Sequence, residues 1–313
     1  DVSLVAFVMC SVLDFGVNGC VSRIEQYVQR ASLANGFEYA HSRMGGSLAG
    51  ACASFLGGKL FLWSPNSIFW ACTVMGVVLS FTVLFSDKIH MENAAAAGDT
   101  TGSLDWSLIG QIFRIRNFWI LSIFYIGTSA LYDVFDQQFI IFFKTFFHTA
   151  AAGTTAYSYM TTGQIALEFL LMFPMPWLIN KIGSRNGLIA YGVILCIRIV
   201  GSALSPSVAW VVILRLLAGF EMPLVLTSIM KYIAGAFDIR VYATVYALAS
   251  NFAKQISVFI FSTVAGNLYD SIGFQHTYFI LGAIVAVATI IAAIFLTKED
   301  PVQAGEVEAS QKQ

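Results

Sequence analysis

Asp133, Asp136, Arg198, Arg215, Glu221 and Lys254 sit inside stretches otherwise built from Leu, Ile, Val, Phe and Ala. A charged side chain at bilayer depth costs about 3 kcal/mol or more even on the gentler insertion scales, so such residues face a cavity, a partner or a permeating solute. Asp133 and Asp136 share one helix face, with Gln137 beside them. The cations available within apolar segments to neutralise them are Arg198, Arg215 and Lys254. Pairing is close to obligatory, whether it serves assembly or the passage of a solute. Glu221 stands on the same helix as Arg215, just before Pro223, between Phe220 and Met222. Apolar surroundings and a nearby guanidinium act on its proton in opposite senses, so the approach or withdrawal of a cation can switch it. Glu221 is therefore the first candidate carrier of a coupled proton, against the plainer reading of a permanently paired acid. Glu168, a second carboxylate in an apolar helix, is the next.

A further polar set lies nearer the start of the chain. Asp14, Asn18 and Glu25 fall within about 40° of one helix face, a gathering that a helix surrounded by lipid would avoid. Glu25 could instead simply occupy the wet end of its helix. Arg43 opens the next segment after a short loop, which puts Glu25 and Arg43 near one another on antiparallel neighbours. Such a pair, reached from a cavity, binds sugar hydroxyls through charge-assisted hydrogen bonds.

These residues need helices to hold them. Hydrophobic residues make up 58% of the chain and charged residues 11%, with mean hydropathy +0.75; soluble domains carry about 25% charged residues. The fold class is all-α, a polytopic membrane protein. Windows of about 20 residues give nine apolar segments, at about 4–24, 43–63, 66–86, 118–142, 156–178, 187–204, 208–233, 242–268 and 275–296. Cys10, Cys20, Cys52, Cys72 and Cys196 all lie in these segments at no metal-ligand spacing and read as packing residues. His41, His90, His148 and His276 lie in connections, which excludes a histidine relay across the membrane. No nucleophile elbow, phosphate-cradling loop or His/Cys cluster occurs, and no serine or cysteine has a base at plausible spacing. No enzyme activity, cofactor, metal or nucleic-acid partner is expected.

Cytoplasmic loops retain positive charge. Arg23, Arg30, Arg43, Lys88, Arg114, Arg116, Lys181, Arg185, Lys231, Arg240, Lys298 and Lys312 lie in or beside alternate connections; the opposite ones hold Lys59 and Lys144. Residues 30–41, 87–117, 180–186, 235–241 and the tail are thus assigned to the cytoplasm. The longest connection, 87–117, opens on a polar, Ala-rich run and ends in an amphipathic stretch where Trp106, Ile109 and Phe113 share a face. It reads as an inter-domain linker ending in an interfacial helix. Residues 1–86 are expected to be the last three helices of an N-terminal six-helix bundle, 118–297 a C-terminal six-helix bundle, and 298–313 a cytoplasmic tail. About nine of twelve helices of a major facilitator fold are then present. Because Asp1 runs directly into an apolar segment, we expect a fragment that lacks about three N-terminal helices.

The run Tyr132-Asp133-Val134-Phe135-Asp136-Gln137-Gln138 resembles the seventh helix of the oligosaccharide:proton symporters, the lactose, raffinose and sucrose permeases. Further stretches resemble the same family without gaps, among them Phe37-Glu38-Tyr39, Ile179-Asn180-Lys181-Ile182-Gly183, Phe220-Glu221-Met222-Pro223, Lys231-Tyr232, Lys254-Gln255 and Gly273-Phe274-Gln275. The resemblance implies a sugar pocket using Glu25 and Arg43 with Asn18 beside them, and charge pairs Asp133 with Lys254 and Asp136 with Arg215. It also implies that Glu221 takes the proton and that Arg198 helps return it to the ionised state. The candidate substrate-binding set is thus Glu25, Arg43, Asn18, Glu168, Asp133 and Lys254, and the proton-coupling set is Glu221, Arg198, Arg215 and Asp136. Three positions depart from the pattern: Gly50 where an aromatic stacks on the sugar, Ala218 where a histidine precedes the proton carboxylate, and Ile165 where lactose permease has a glutamate. Gln164 to Glu168 reads instead like the sucrose permease.

The expected function is proton-coupled uptake of a disaccharide or small oligosaccharide by alternating access. The protein is expected to be a monomer, multi-pass in the bacterial inner membrane, with oligosaccharide, proton and lipid bilayer as its partners. The alternatives are a proton-independent sugar facilitator and a transporter-like sugar sensor.

Overall fold

The computed structural model describes residues 39–86, 112–237 and 242–297, with isolated positions outside these runs. Among the described residues every regular element is helical, as hydrocarbon requires, since a helix satisfies its own backbone polar groups. In chain order the helices are α1 (Tyr39–Trp63), α2 (Asn66–Ser86), α3 (Arg116–Gly127), α4 (Ser129–Lys144), α5 (Ala150–Met172), α6 (Met175–Ile182), α7 (Ser184–Ala203), α8 (Val208–Ala236), α9 (Tyr242–Val245) and α10 (Ala253–Phe295). A π-helical run, Tyr246–Phe252, joins α9 to α10. Among the described residues four helical stretches are long and apolar enough to cross a membrane, five if the bent pair α5–α6 is one span.

Four apolar windows match these helices closely, and four differ instructively. The window at 118–142 is two helices, α3 and α4, in one span broken at Thr128 (φ −123°, ψ −71°), whose hydroxyl donates back to Phe124 O at 2.6 Å. The window at 156–178 begins early, at Ala150, because Thr149 caps the helix by accepting from Ala152 N at 3.2 Å. It also bends by 62° between α5 and α6, where Pro174 and Pro176 withhold backbone N–H donors. The last two windows merge into one continuous helical run of α9, the π-helical stretch and α10, and α10 turns at Gly273 (φ 79°, ψ 171°). That conformation favours glycine, and it divides a stretch of 43 residues, about 65 Å at 1.5 Å per residue, into two membrane-length pieces. The linker at 87–109, with Trp106 and Ile109, lies outside the described residues, as do the first segment and the tail.

The core is aromatic. Phe124, Phe135, Phe139, Phe143 and Tyr278 are fully buried or nearly so, and their rings meet at centroid distances such as 4.8 Å for Phe135 and Tyr278 and 5.2 Å for Phe135 and Phe139. Around it α10 packs on α3, α4 and α7, and α8 packs on α5 and α7. α1 lies against α5, and α2 packs on α1. Trp63, Phe69, Trp70, Leu84, Phe85, Phe173 and Phe259 are exposed. This apolar exterior suits lipid, the solvent that the composition demands. Cys52 and Cys72 are on that exterior and Cys196 is half-buried, all three free thiols.

Candidate functional site

Four helices converge on a cavity of about 360 Å³, within the range of small-molecule sites. α1 supplies one wall through Gly46, Ser47 and Gly50. Opposite it stand Thr161, Gln164, Ile165 and Glu168 of α5, with Asp136 of α4 and Arg215 of α8 at the back. The wall is polar where charge clusters and apolar where α1 offers glycines. A Cβ built on Gly50 would lie 3.7 Å from Ile165 Cγ2, so an aromatic ring there would displace Ile165. Two of the three departures from the family pattern, Gly50 and Ile165, therefore meet across one gap.

The buried charges form a connected set. Arg198 of α7 holds Glu221 of α8 in a two-pronged contact, Nε to Oε1 and Nη2 to Oε2, both 2.8 Å. Its Nη1 also reaches Asp136 Oδ1 at 3.4 Å. Arg215 grips the same Asp136 with both terminal nitrogens, the Nη2–Oδ2 contact being 2.8 Å. Asp136 thus lies between two guanidiniums, one shared with Glu221. Each guanidinium is also laid against aromatic faces: Arg198 is 4.8 Å from the Tyr132 ring centroid and 4.9 Å from that of Phe135, and Arg215 is 5.0 Å from Phe139. Rings accept a planar cation that has shed its water, which is how two fully buried arginines remain tolerable here. Bidentate geometry adds strength and fixes orientation.

Lys254 and Asp133 make a separate pair at 2.9 Å. Neither is in the cavity wall, and both side chains are partly exposed, at 22% and 29%. Since the pair stands between surface and buried ion pairs, Lys254→Ala should destabilise the protein by about 1 to 3 kcal/mol. Removing Asp133 as well should restore most of that loss, because no carboxylate is then stranded. Thermal denaturation in detergent of the two variants checks this; a double variant as unstable as the single one would show that the lysine acts by packing alone.

Among the sequence candidates, Asp136, Arg198, Arg215 and Glu221 come together, Asp133 and Lys254 pair beside them, and Glu168 faces the cavity. Glu168 accepts from Ser47 Oγ at 3.0 Å, a hydrogen bond from α1 to α5. Glu25 and Asn18 lie outside the described residues, as does the side chain of Arg43 in the first turn of α1. Ala218, where the family pattern has a histidine, is fully buried. Sequence reasoning missed Ser47, Thr161, Tyr132 and Tyr157 as wall residues. The stripe Thr161, Gln164, Glu168 could have been found, because spacings of three and four follow one helix face.

A family profile described as "LacY proton/sugar symporter" matches residues 2–307. The chain is similar to the raffinose permease of Escherichia coli, 39% identical over 289 residues, 91% of this chain and 68% of that protein. It is also similar to the melibiose permease of Enterobacter cloacae, 38% identical over 285 residues, 90% of this chain and 67% of that protein. The lactose permease of Klebsiella oxytoca is 36% identical over 277 residues, 87% of this chain and 66% of that protein. The chain spans about two thirds of the length of these relatives.

Proposed function

The chain belongs to the LacY proton/sugar symporter family, and on that premise we propose that it serves uptake of a disaccharide or small oligosaccharide with a proton, by alternating access of one central cavity. Membership also makes it a multi-pass protein of the bacterial inner membrane and a transporter. The domain division follows the same premise: residues 1–86 close an N-terminal bundle, 118–297 form the C-terminal bundle, and the sugar lies between them.

The observation that carries the coupling is the bridge from cavity to buried acid. Asp136 lines the cavity and contacts Arg198, which holds Glu221. Protonating Glu221 removes its claim on Arg198, and Asp136 already stands 3.4 Å from that guanidinium. The arginine is therefore not stranded, which would cost about 3 to 5 kcal/mol. A proton on Glu221 strengthens the pull of Arg198 on Asp136, and Asp136 is within reach of a bound sugar. Sugar affinity then depends on that proton, the reciprocal linkage that symport requires. The proposed sugar contacts are Glu168, together with Glu25, Arg43 and Asn18 from the N-terminal side.

Adding sugar to anaerobic cells in weakly buffered medium tests the reading. Symport should alkalinise the medium as sugar enters. Sugar entry without alkalinisation would favour the facilitator, and sugar binding without entry the sensor.

A further inference from the structure

α5 carries four threonines, and three of them are satisfied in the ordinary way. Thr154, Thr155 and Thr162 donate to the carbonyls of Ala150, Ala151 and Ser158 at 2.8, 3.0 and 2.7 Å, the back-bond to residue i−4 that closes a hydroxyl inside a helix. Thr161 does not: its Oγ1 is buried and meets no hydrogen-bond partner among the described residues. One turn further along, Gln164 is 3% exposed and its Oε1 is likewise buried without a partner among the described residues. Both side chains line the cavity. A buried polar atom left unpaired costs about 1 to 3 kcal/mol; other described side chains, Ser122, Ser228 and Tyr278 among them, are orphaned too, but these two stand on adjacent turns of the cavity wall. An apolar residue at either place would relieve the cost.

We propose that Thr161 and Gln164 read a pair of hydroxyl groups on the transported sugar and so help to set which sugar is accepted. This rests on the sugar-transport reading above and names residues for it. Residues one turn apart place their Cβ atoms about 5 to 6 Å from each other, so a threonine hydroxyl and a glutamine amide can engage neighbouring hydroxyls of one ring. Both groups are uncharged and draw on no counter-ion in the wall. They discriminate by geometry, and the proton chemistry stays with the carboxylates. Both oxygens are covered in this conformation; rotating the Thr161 hydroxyl and the Gln164 amide toward the cavity that both residues line brings them to the ligand. Glu168, one further turn along, continues the same stripe and is held by Ser47, so a sugar crossing from α1 to α5 meets an unbroken row of polar groups.

The test uses the full-length protein in membrane vesicles, with raffinose, melibiose, lactose and sucrose as probes and monodeoxy analogues of whichever binds. Gln164→Leu and Thr161→Val should each weaken binding of that sugar by 10- to 100-fold. Each should also abolish the difference between the sugar and the one deoxy analogue that lacks the hydroxyl being read. The sugar-free variants should melt at a higher temperature than the parent, since each replaces an orphaned polar atom with an apolar one. A structural role predicts the opposite, a lower melting temperature with deoxy discrimination intact, and that result overturns the proposal. Should Gln164→Leu fail to fold, the near-isosteric Thr161→Val carries the test alone. Binding of none of the probes by the parent would overturn the transport reading itself; binding by the parent with unaltered variants would overturn only this inference.

Discussion

Replacing Glu221 by Gln should reduce the sugar accumulation ratio to about one, the value for passive equilibration, while sparing exchange of sugar across the membrane. Glutamine keeps the shape of the acid and its reach to Arg198, but it cannot ionise. The variant is fixed in the likeness of the protonated carrier. Exchange needs only that this form, with sugar bound, reorient in both directions. Net uptake driven by a gradient needs the empty carrier to lose its proton and return, which glutamine forbids. The fully buried position of Glu221 between two elements means that no neighbouring water can substitute. Arg198, having lost an ionic partner, keeps Asp136 at 3.4 Å, so the variant should remain folded. Sugar affinity should fall at alkaline pH in the parent and stay level in the variant. Counterflow and accumulation assays on the same vesicles separate the two outcomes. A variant that still concentrates sugar would remove Glu221 from the proton pathway and leave Glu168 as the alternative.

How far the sequence alone reaches depends on the length scale of the physics. The apolar windows at 43–63, 66–86, 187–204 and 208–233 stand within a few residues of α1, α2, α7 and α8, because the bilayer imposes one length and one composition on every span. A window of that size averages over anything shorter. It therefore ran through Pro174, where α5 bends into α6, and through Thr128, where α3 gives way to α4. The π-helical turn at Tyr246–Phe252 has no compositional mark at all. The site shows the same division. Charge in an apolar segment demands a partner, so neutralisation of Asp133, Asp136 and Glu221 was legible from the one-dimensional pattern. That Arg198 would serve two carboxylates at once was not, since Asp136 and Glu221 come from α4 and α8 and meet only when α7 is laid between them. Uncharged wall residues such as Thr161 and Gln164 were harder still, because a membrane helix tolerates Thr and Gln at many positions, and only a place in the cavity wall combined with an unpartnered oxygen distinguishes these two among the described residues.

The seam between α1 and α5 sets the second large expectation. A Cβ on Gly58 would overlap Ser158 Oγ and come within 2.5 Å of Ser158 Cβ, and Ser158 Oγ itself donates to Ser54 O at 2.5 Å. Two helices meet here with no room for a side chain. Ser47 and Glu168, at the cavity, are on the same two helices, and Gly58 lies eleven residues beyond Ser47, about 16 Å along the axis. By the distribution of positive charge, that is toward the outer face. On the alternating-access reading, closing the cavity on that side uses this contact. Gly58→Leu should hold the seam open at a cost on the order of 3 kcal/mol to the closed state, which lowers its population, and with it the transport rate, about 100-fold. Sugar binding from the open side should survive, because the cavity wall is untouched. Gly58→Ala should show a milder loss that Ser158→Gly restores, since that change removes the atoms the new methyl would strike. Parallel measurement of uptake and equilibrium binding decides the matter: uptake at the parent rate in Gly58→Leu would mean that the seam never has to close, and alternating access would have to pivot on some other pair of helices.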